Sequence, residues 1–498
     1  MSKVRRSLFL GLGGSLLGVL ILVSLAALLG GCAVGPNYVK PDTPVPAGFR
    51  SAEPAVYSPG PAVYSAGEVQ SEFWKQFADP TLDQLVDDAL AANYGLRIAL
   101  GHLLEARAAR HQALFDFAPT VTASGGYTKQ QVPAAASPIA TGYQYQLYDA
   151  GFDAAWELDL FGQVRRANEA AQADLQGAEA GLSDAQVSVI AEVARTYFEL
   201  RGAQDELAVA RRNVENQTES LRITNERLGA GRGTELDTSR AQSQLSTTLS
   251  SIAPLEASIS RSIHRLGVLT GRDPNALTDL LTPAKELPAL PQVAAIGDPA
   301  ALLRRRPDIR VAERQLAAST ARIGVAVADL FPKVSFTGNF GYMSNEIPAL
   351  GSTGTRSYEI APGISWAAFD LGRVRAQVAA AHARADVDLA AYQKTVLQAL
   401  EDTENSLVTH ARARERLRNA ADAAGASATA ARLARTRYEG GIVDFLEVLD
   451  AERTQLQAED QLAQSRTEAM TSLVGVYKAL GGGWEPAPLP RYTQAASR

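Results

Sequence analysis

Few residues in this 498-residue chain are placed to do chemistry. Cys32 is the only cysteine, and it stands directly behind Leu29-Gly30-Gly31 at the end of an apolar stretch. Without a second thiol there is no disulfide framework and no thiol metal cluster. The five histidines, at 102, 111, 264, 382 and 410, have no ligand spacing. Neither Gly-x-Ser-x-Gly nor His-Glu-x-x-His occurs. Gly229-Ala230-Gly231-Arg232-Gly233 lacks the Gly-Lys-Ser/Thr ending of a phosphate loop, and no strand leads into it. Three methionines give no support to a soft-metal route. No acid–base or nucleophile constellation appears. A spacing of three, as between Glu447 and Asp450, puts two carboxylates on one helix face, which attracts cations if it lines a narrow space and is a solvated face otherwise. These residues predict neither an enzyme nor a cofactor.

The N-terminus sets the compartment. Lys3, Arg5 and Arg6 precede an apolar stretch from Leu8 to Leu29. An uncleaved anchor is one reading, since about 20 apolar residues span a bilayer. The small residues before Cys32 favour the other, a secretory signal over residues 1–31. The site resembles a bacterial lipobox, which implies that the signal is cut before Cys32 and that Cys32 is acylated. Ala33 behind it, rather than Asp, implies an outer-membrane address. Several acyl chains hold a protein firmly, at roughly 0.8 kcal/mol per buried methylene. A Pro-rich, extended, lipid-anchored segment is expected over 32–80. The net charge of -6 gives no reason to expect nucleic acid.

The elements that must position these residues come in two copies. Trp156-Glu157-Leu158-Asp159-Leu160-Phe161-Gly162-Gln163-Val164-Arg165 is echoed about 210 residues later by Trp366-Ala367-Ala368-Phe369-Asp370-Leu371-Gly372-Arg373-Val374-Arg375. Each copy passes from alternating strand through a turn into a long Ala-rich helix. Four segments alternate with period two, around 120–128, 148–157, 333–342 and 358–367. They suit a soluble sheet with one wet face, or a membrane barrel with its apolar face in lipid; the compartment and the aromatics favour the barrel. Phe152, Trp156, Phe340 and Trp366 are expected on the lipid side, and Asp149, Asp153, Glu157 and Glu359 on the lumen side. Four strands cannot close, and an open edge cannot sit in lipid, so two or more chains must combine. Residues 129–142 and 344–356 read as surface loops. Each long helical run breaks only at a Gly-rich turn, giving a helix of roughly 65 residues, on the order of 100 Å, and a returning one of about 36. Pro254 predicts a kink or break in the first returning helix.

These features together identify a resemblance to the outer membrane efflux protein family, in its lipoprotein branch. The carriers are Cys32-Ala33-Val34-Gly35-Pro36-Asn37-Tyr38 with Pro41, then Phe73-Trp74 and Phe77-Ala78-Asp79-Pro80-Thr81-Leu82, Ala92-Asn93, the strand entries Ala118-Pro119 and Phe331-Pro332, and the two hairpin tips. The resemblance covers essentially the whole mature chain. It implies an α+β membrane protein in which a homotrimer builds one 12-stranded outer-membrane β-barrel, four strands per chain, continuing into a long periplasmic α-helical barrel. Internal duplication would divide the chain into efflux repeats at 81–290 and 291–482, with a tail at 483–498. It further implies a passive conduit for small toxic compounds, coupled to a periplasmic adaptor and an inner-membrane transporter of the RND type. A type I protein secretion channel and a lipid-anchored periplasmic coiled-coil scaffold are the competing readings.

The resemblance also places a periplasmic gate at the hairpin tips. Glu447 and Asp450 fall where the family has acidic rings. Asp237 matches an aspartate that bonds across to the neighbouring hairpin, and Tyr438 matches its partner. Where some members carry a latch arginine this chain has Val443, leaving Arg232 or Arg437 as substitutes or the latch weaker. Gly231 and Gly441 allow the tight turns, and the tips, with Arg227 and Arg437, are the expected adaptor contact.

Overall fold

The computed structural model describes residues 33–52, 64–65, 67–136, 142–291 and 294–483. The signal segment, Cys32 and the C-terminal tail lie outside the described residues, and so do the expectations attached to them. The chain divides into two compact units: residues up to 42, 103–178 and 311–392 form the first, and residues 43–102, 179–310 and 393 onward the second.

In chain order the main elements are α1 (Pro80–Ala92), α2 (Tyr94–Phe115), β1 (Thr120–Val132), β2 (Tyr143–Leu158), α3 (Gln163–Gly229) and α4 (Glu235–Leu269). The second copy repeats them as α5 (Pro299–Arg305), α6 (Pro307–Ala328), β3 (Lys333–Ser344), β4 (Arg356–Ser365), α7 (Leu371–Glu439) and α8 (Phe445–Ala479). The duplication is close: α3 and α7 have 67 and 69 residues, and α4 and α8 have 35 each.

The first unit is built around one antiparallel sheet of order β1-β2-β3-β4. Its register separates chemistry by face. Ala123, Phe152, Phe340 and Tyr358 form one cross-strand row, and the next row, on the opposite face, is Thr122, Asp153, Asn339 and Glu359. In the polar set Ser124 donates to Asp153 at 2.6 Å. Phe152 and Tyr358 are 59% and 72% exposed, so nothing among the described residues covers the apolar face. β1 and β2 pair further than expected, through Val132↔Tyr143. The run Lys129-Gln130-Gln131 is polar on both faces and hides its alternation, but Tyr145 still donates to Gln130 at 2.7 Å. The roots of the sheet repeat too: the indole N–H of Trp156 donates to the Phe117 carbonyl at 3.1 Å, and that of Trp366 to the Leu330 carbonyl at 3.0 Å.

The second unit has the aromatic core. Phe73 stacks on Tyr477 at 4.9 Å between centroids, and Phe77 meets Phe198 edge-on at 4.8 Å. Asp79 caps α1 by accepting from the Thr81 and Leu82 amides, and also accepts a hydrogen bond from the Tyr197 hydroxyl. A two-residue parallel ladder joins Tyr64–Ser65 to Ala294–Ala295. Pro254 does not end its helix: α4 is continuous from Glu235 to Leu269. Pro254 and Ser250, whose carbonyl loses its partner, are both exposed, so the orphaned group is open to water.

Candidate functional site

The two helix-hairpin tips lie in the second unit and share one construction. In the first, Gly231 closes α3 with φ +69°; its amide donates to Leu228 at 3.0 Å and the Arg232 amide donates to Arg227 at 2.8 Å. In the second, Gly441 has φ +72°; its amide donates to Tyr438 and the Ile442 amide to Arg437, both at 2.9 Å. This paired pattern is the Schellman stop, and the left-handed residue in it is almost always glycine. Each returning helix then starts on a side-chain cap. Thr234 accepts from the Asp237 amide at 3.3 Å, while Asp444 accepts from the Glu447 amide at 3.3 Å. Asp237 and Glu447 therefore occupy the same position in the two repeats.

The tips meet through a small apolar cluster of Ala241, Tyr438, Phe445 and Val448. Tyr438 is buried, its ring 5.6 Å from that of Phe445. Arg227 of the first tip lies over the same tyrosine ring, with its guanidinium carbon 3.9 Å from the Tyr438 centroid. The same guanidinium donates to the Tyr438 carbonyl at 2.5 Å and to that of Glu439 at 3.4 Å. Arg227 thus stands on the tyrosine and on the last carbonyls of α7, where a cation also meets the negative end of the helix dipole.

The remaining sequence-predicted residues surround this contact. Asp237 is occupied within its own turn: its Oδ2 accepts from the Thr234 hydroxyl at 2.7 Å and from the Thr234 amide at 3.3 Å. Glu447 lies 3.6 Å from Arg437, with both side chains about half exposed. Asp450 pairs with Arg453 at 2.8 Å. Each acidic residue of the candidate ring therefore has a cation beside it, which lowers the field the pair presents. Ile442 and Leu446 are exposed at the second tip, as are Leu228 and Leu236 at the first.

One functional-looking group escaped the sequence reading. Glu452, 6% exposed, accepts from Arg435 at 2.5 Å and from the Ser220 hydroxyl at 2.7 Å. It ties α3, α7 and α8 together behind the tip. The signal was available: Glu452 continues the buried stripe of Phe445 and Val448 on α8, where a charge demands a partner. No cluster of metal-ligating side chains occurs among the described residues, and no described helix is long and apolar enough to cross a membrane.

A family model described as outer membrane efflux protein matches residues 85–272 and 299–482, one match in each repeat. A probable efflux pump outer membrane protein, TtgC of Pseudomonas putida, is 33% identical over 469 residues, covering 94% of this chain and 96% of its own. Outer membrane protein OprJ of Pseudomonas aeruginosa is 33% identical over 470 residues, covering 93% and 95%. The solved structure of the outer-membrane channel OprN superposes with a TM-score of 0.85 at 44% identity, over 91% of this chain and 100% of that one.

Proposed function

The chain belongs to the outer membrane efflux protein family, and on that premise we propose that it is the outer-membrane channel of a tripartite efflux pump. It is a passive, trimeric conduit for small toxic compounds. An inner-membrane transporter of the RND type supplies the energy, and a periplasmic adaptor joins the two. Three copies each contribute four strands to a 12-stranded barrel and their long helices to a periplasmic tunnel. Residues 81–290 and 291–482 are the two copies of the efflux repeat, and Cys32 carries the lipid.

The observation that carries this reading is the sheet. It has four strands, two open edges at β1 and β4, an apolar face and a polar face. In a bilayer an unpaired edge costs several kcal/mol per exposed backbone group, so the edges must meet those of other copies. Closure puts Phe152 and Phe340 in lipid and Asp153 and Glu359 in a watery lumen. At the hairpin tips, Glu447 and Asp450 line the constriction, and Arg227 on Tyr438 holds each pair of hairpins together. The exposed tip residues around Arg227, Gly231, Arg437 and Gly441 contact the adaptor. The efflux-pump relatives favour this over a protein secretion channel.

Gel migration tests the reading. Outer membranes loaded without boiling should show a heat-modifiable trimer band that collapses to the monomer on boiling. A species that never migrates above the monomer, and is released from membranes once Cys32 is replaced by Ser, is instead a lipid-anchored periplasmic scaffold.

A further inference from the structure

The segment from Ala33 to Tyr38 is gripped by the unit that contains the sheet. Arg166, in the first turn of α3, is 4% exposed and turns its guanidinium onto this segment. Its Nε donates to the Val34 carbonyl at 3.0 Å. Its Nη2 donates to the carbonyls of Ala33 at 3.4 Å and Gly35 at 3.2 Å, and to Asn37 Oδ1 at 2.7 Å. Its Nη1 pairs with Glu169 at 2.7 Å. From the other side the Val34 amide donates to the Phe161 carbonyl at 3.0 Å. Further along, the Tyr38 hydroxyl donates to Glu313 at 2.8 Å, and its ring packs against Ala173, Ala317 and Ala318.

The approach is close enough to demand glycine. Gly35 has φ +86°, and a Cβ there would stand 2.5 Å from the Gly324 Cα. A Cβ on Gly324 would in turn stand 2.7 Å from the Arg166 Cγ.

An arginine directed at three successive backbone carbonyls reads no side chain; it fixes a stretch of backbone in place. Chain termini are ordinarily loose unless tied down, and burying a guanidinium is costly unless its donors are satisfied. The stretch it fixes begins immediately after Cys32. The place is specific as well. Phe161 lies just beyond β2 and stacks at 4.6 Å on Phe331, which lies just before β3. Residue 33 is therefore pinned at the roots of the two central strands.

We propose that Arg166 is the receptor for this protein's own mature N-terminus, seating residues 33–37 at the strand roots so that acyl chains on Cys32 enter the bilayer beside β2 and β3. The proposal rests on the lipidation of Cys32 stated above. Arg166 is a positioning residue. If it served only to stabilise α3, the mobility of the N-terminal segment would not depend on it.

The test places a nitroxide on Val39→Cys, at an exposed position just past the clasp, in full-length protein purified from outer membranes in detergent. An acylated Cys32 sulfur is a thioether and takes no label. The label is expected to show a slow, ordered spectrum in the otherwise unaltered chain. In R166A, and independently in G35V, the slow component is lost to a fast one while mass spectrometry still finds the acylated N-terminal peptide. Should R166A fail to accumulate, N37A, which removes only the 2.7 Å bond to Asn37, carries the same readout with a partial loss. Unchanged spectra in these variants overturn the clasp. Labelling of the chain that lacks Val39→Cys reveals a free Cys32 thiol and overturns the lipid half of the proposal, while the mobility comparison still judges the clasp by itself.

Discussion

The Arg227 guanidinium carbon lies 3.9 Å from the centre of the Tyr438 ring, and the same group donates to the Tyr438 carbonyl at 2.5 Å. One side chain of the first hairpin thus holds both the ring and the helix end of the second. A partly desolvated cation–π contact contributes about 1–2 kcal/mol. R227A and Y438L are each expected to speed hydrogen exchange of the tip amides about tenfold. Y438F, which keeps the ring and the carbonyl, should leave exchange unchanged. The double variant R227A/Y438L should be little worse than either single one, because the two residues share one interaction. A large effect of Y438F would assign the latch to the tyrosine hydroxyl.

The buried pair behind the tip gives a second expectation. Glu452 is almost fully enclosed, with Arg435 and Ser220 on the same carboxylate oxygen. Removing one partner of such a pair leaves the other's charge uncompensated, so E452A should lower stability by about 3 kcal/mol. Replacing both ends by apolar groups, as in R435M/E452M, should recover most of that loss. Thermal unfolding of the three proteins side by side checks it.

His410 sets an acid limit. It is fully buried on α7, its Nδ1 3.1 Å from the Ser472 hydroxyl, and burial, reinforced by nearby Arg414, holds its pKa down to about 4. Above the ordinary histidine value of 6.5 the ring is neutral in folded and unfolded chains alike. As pH falls from there towards 4, only the unfolded chain takes up the proton. Stability should therefore drop in that window, with a slope of up to about 1.4 kcal/mol per pH unit from this group. In H410Q this part of the slope between pH 6.5 and pH 4 should disappear, as melting curves across the range would reveal.

Pro254 sits on the exposed side of an unbroken helix. Alanine there restores a backbone N–H to the Ser250 carbonyl and a better helix former. P254A should stabilise the protein by roughly 1–3 kcal/mol, less whatever the freer unfolded chain takes back. A lower melting temperature would mean that the proline fits a bend the helix needs.

Much of the fold was legible because the duplication states each element twice. The switch from period two to helical period at Trp156 and Trp366, and the Gly-rich turns at 229–233 and 440–441, located the strands, long helices and tips. The far end of β1 was not, because Lys129, Gln130 and Gln131 are polar on both faces. Pro254 does not break its helix: its local cost is real, but two solvent-facing positions absorb it. At the tips, spacing placed Glu447 and Asp450 on one face but said nothing of Arg437 reaching back across the turn. Arg227 was expected as a surface contact, and only the folded hairpins bring it onto Tyr438. The Arg166 clasp joins residues more than a hundred positions apart, which no local pattern reports.

The most direct test of the channel is single-channel conductance in planar bilayers, comparing the unaltered trimer with E447S/D450S. Small, cation-selective steps that grow or lose selectivity in the variant are expected. No conductance from a well-folded trimer would contradict the channel itself. Steps of unchanged size and selectivity in E447S/D450S would move the constriction away from the second hairpin tip.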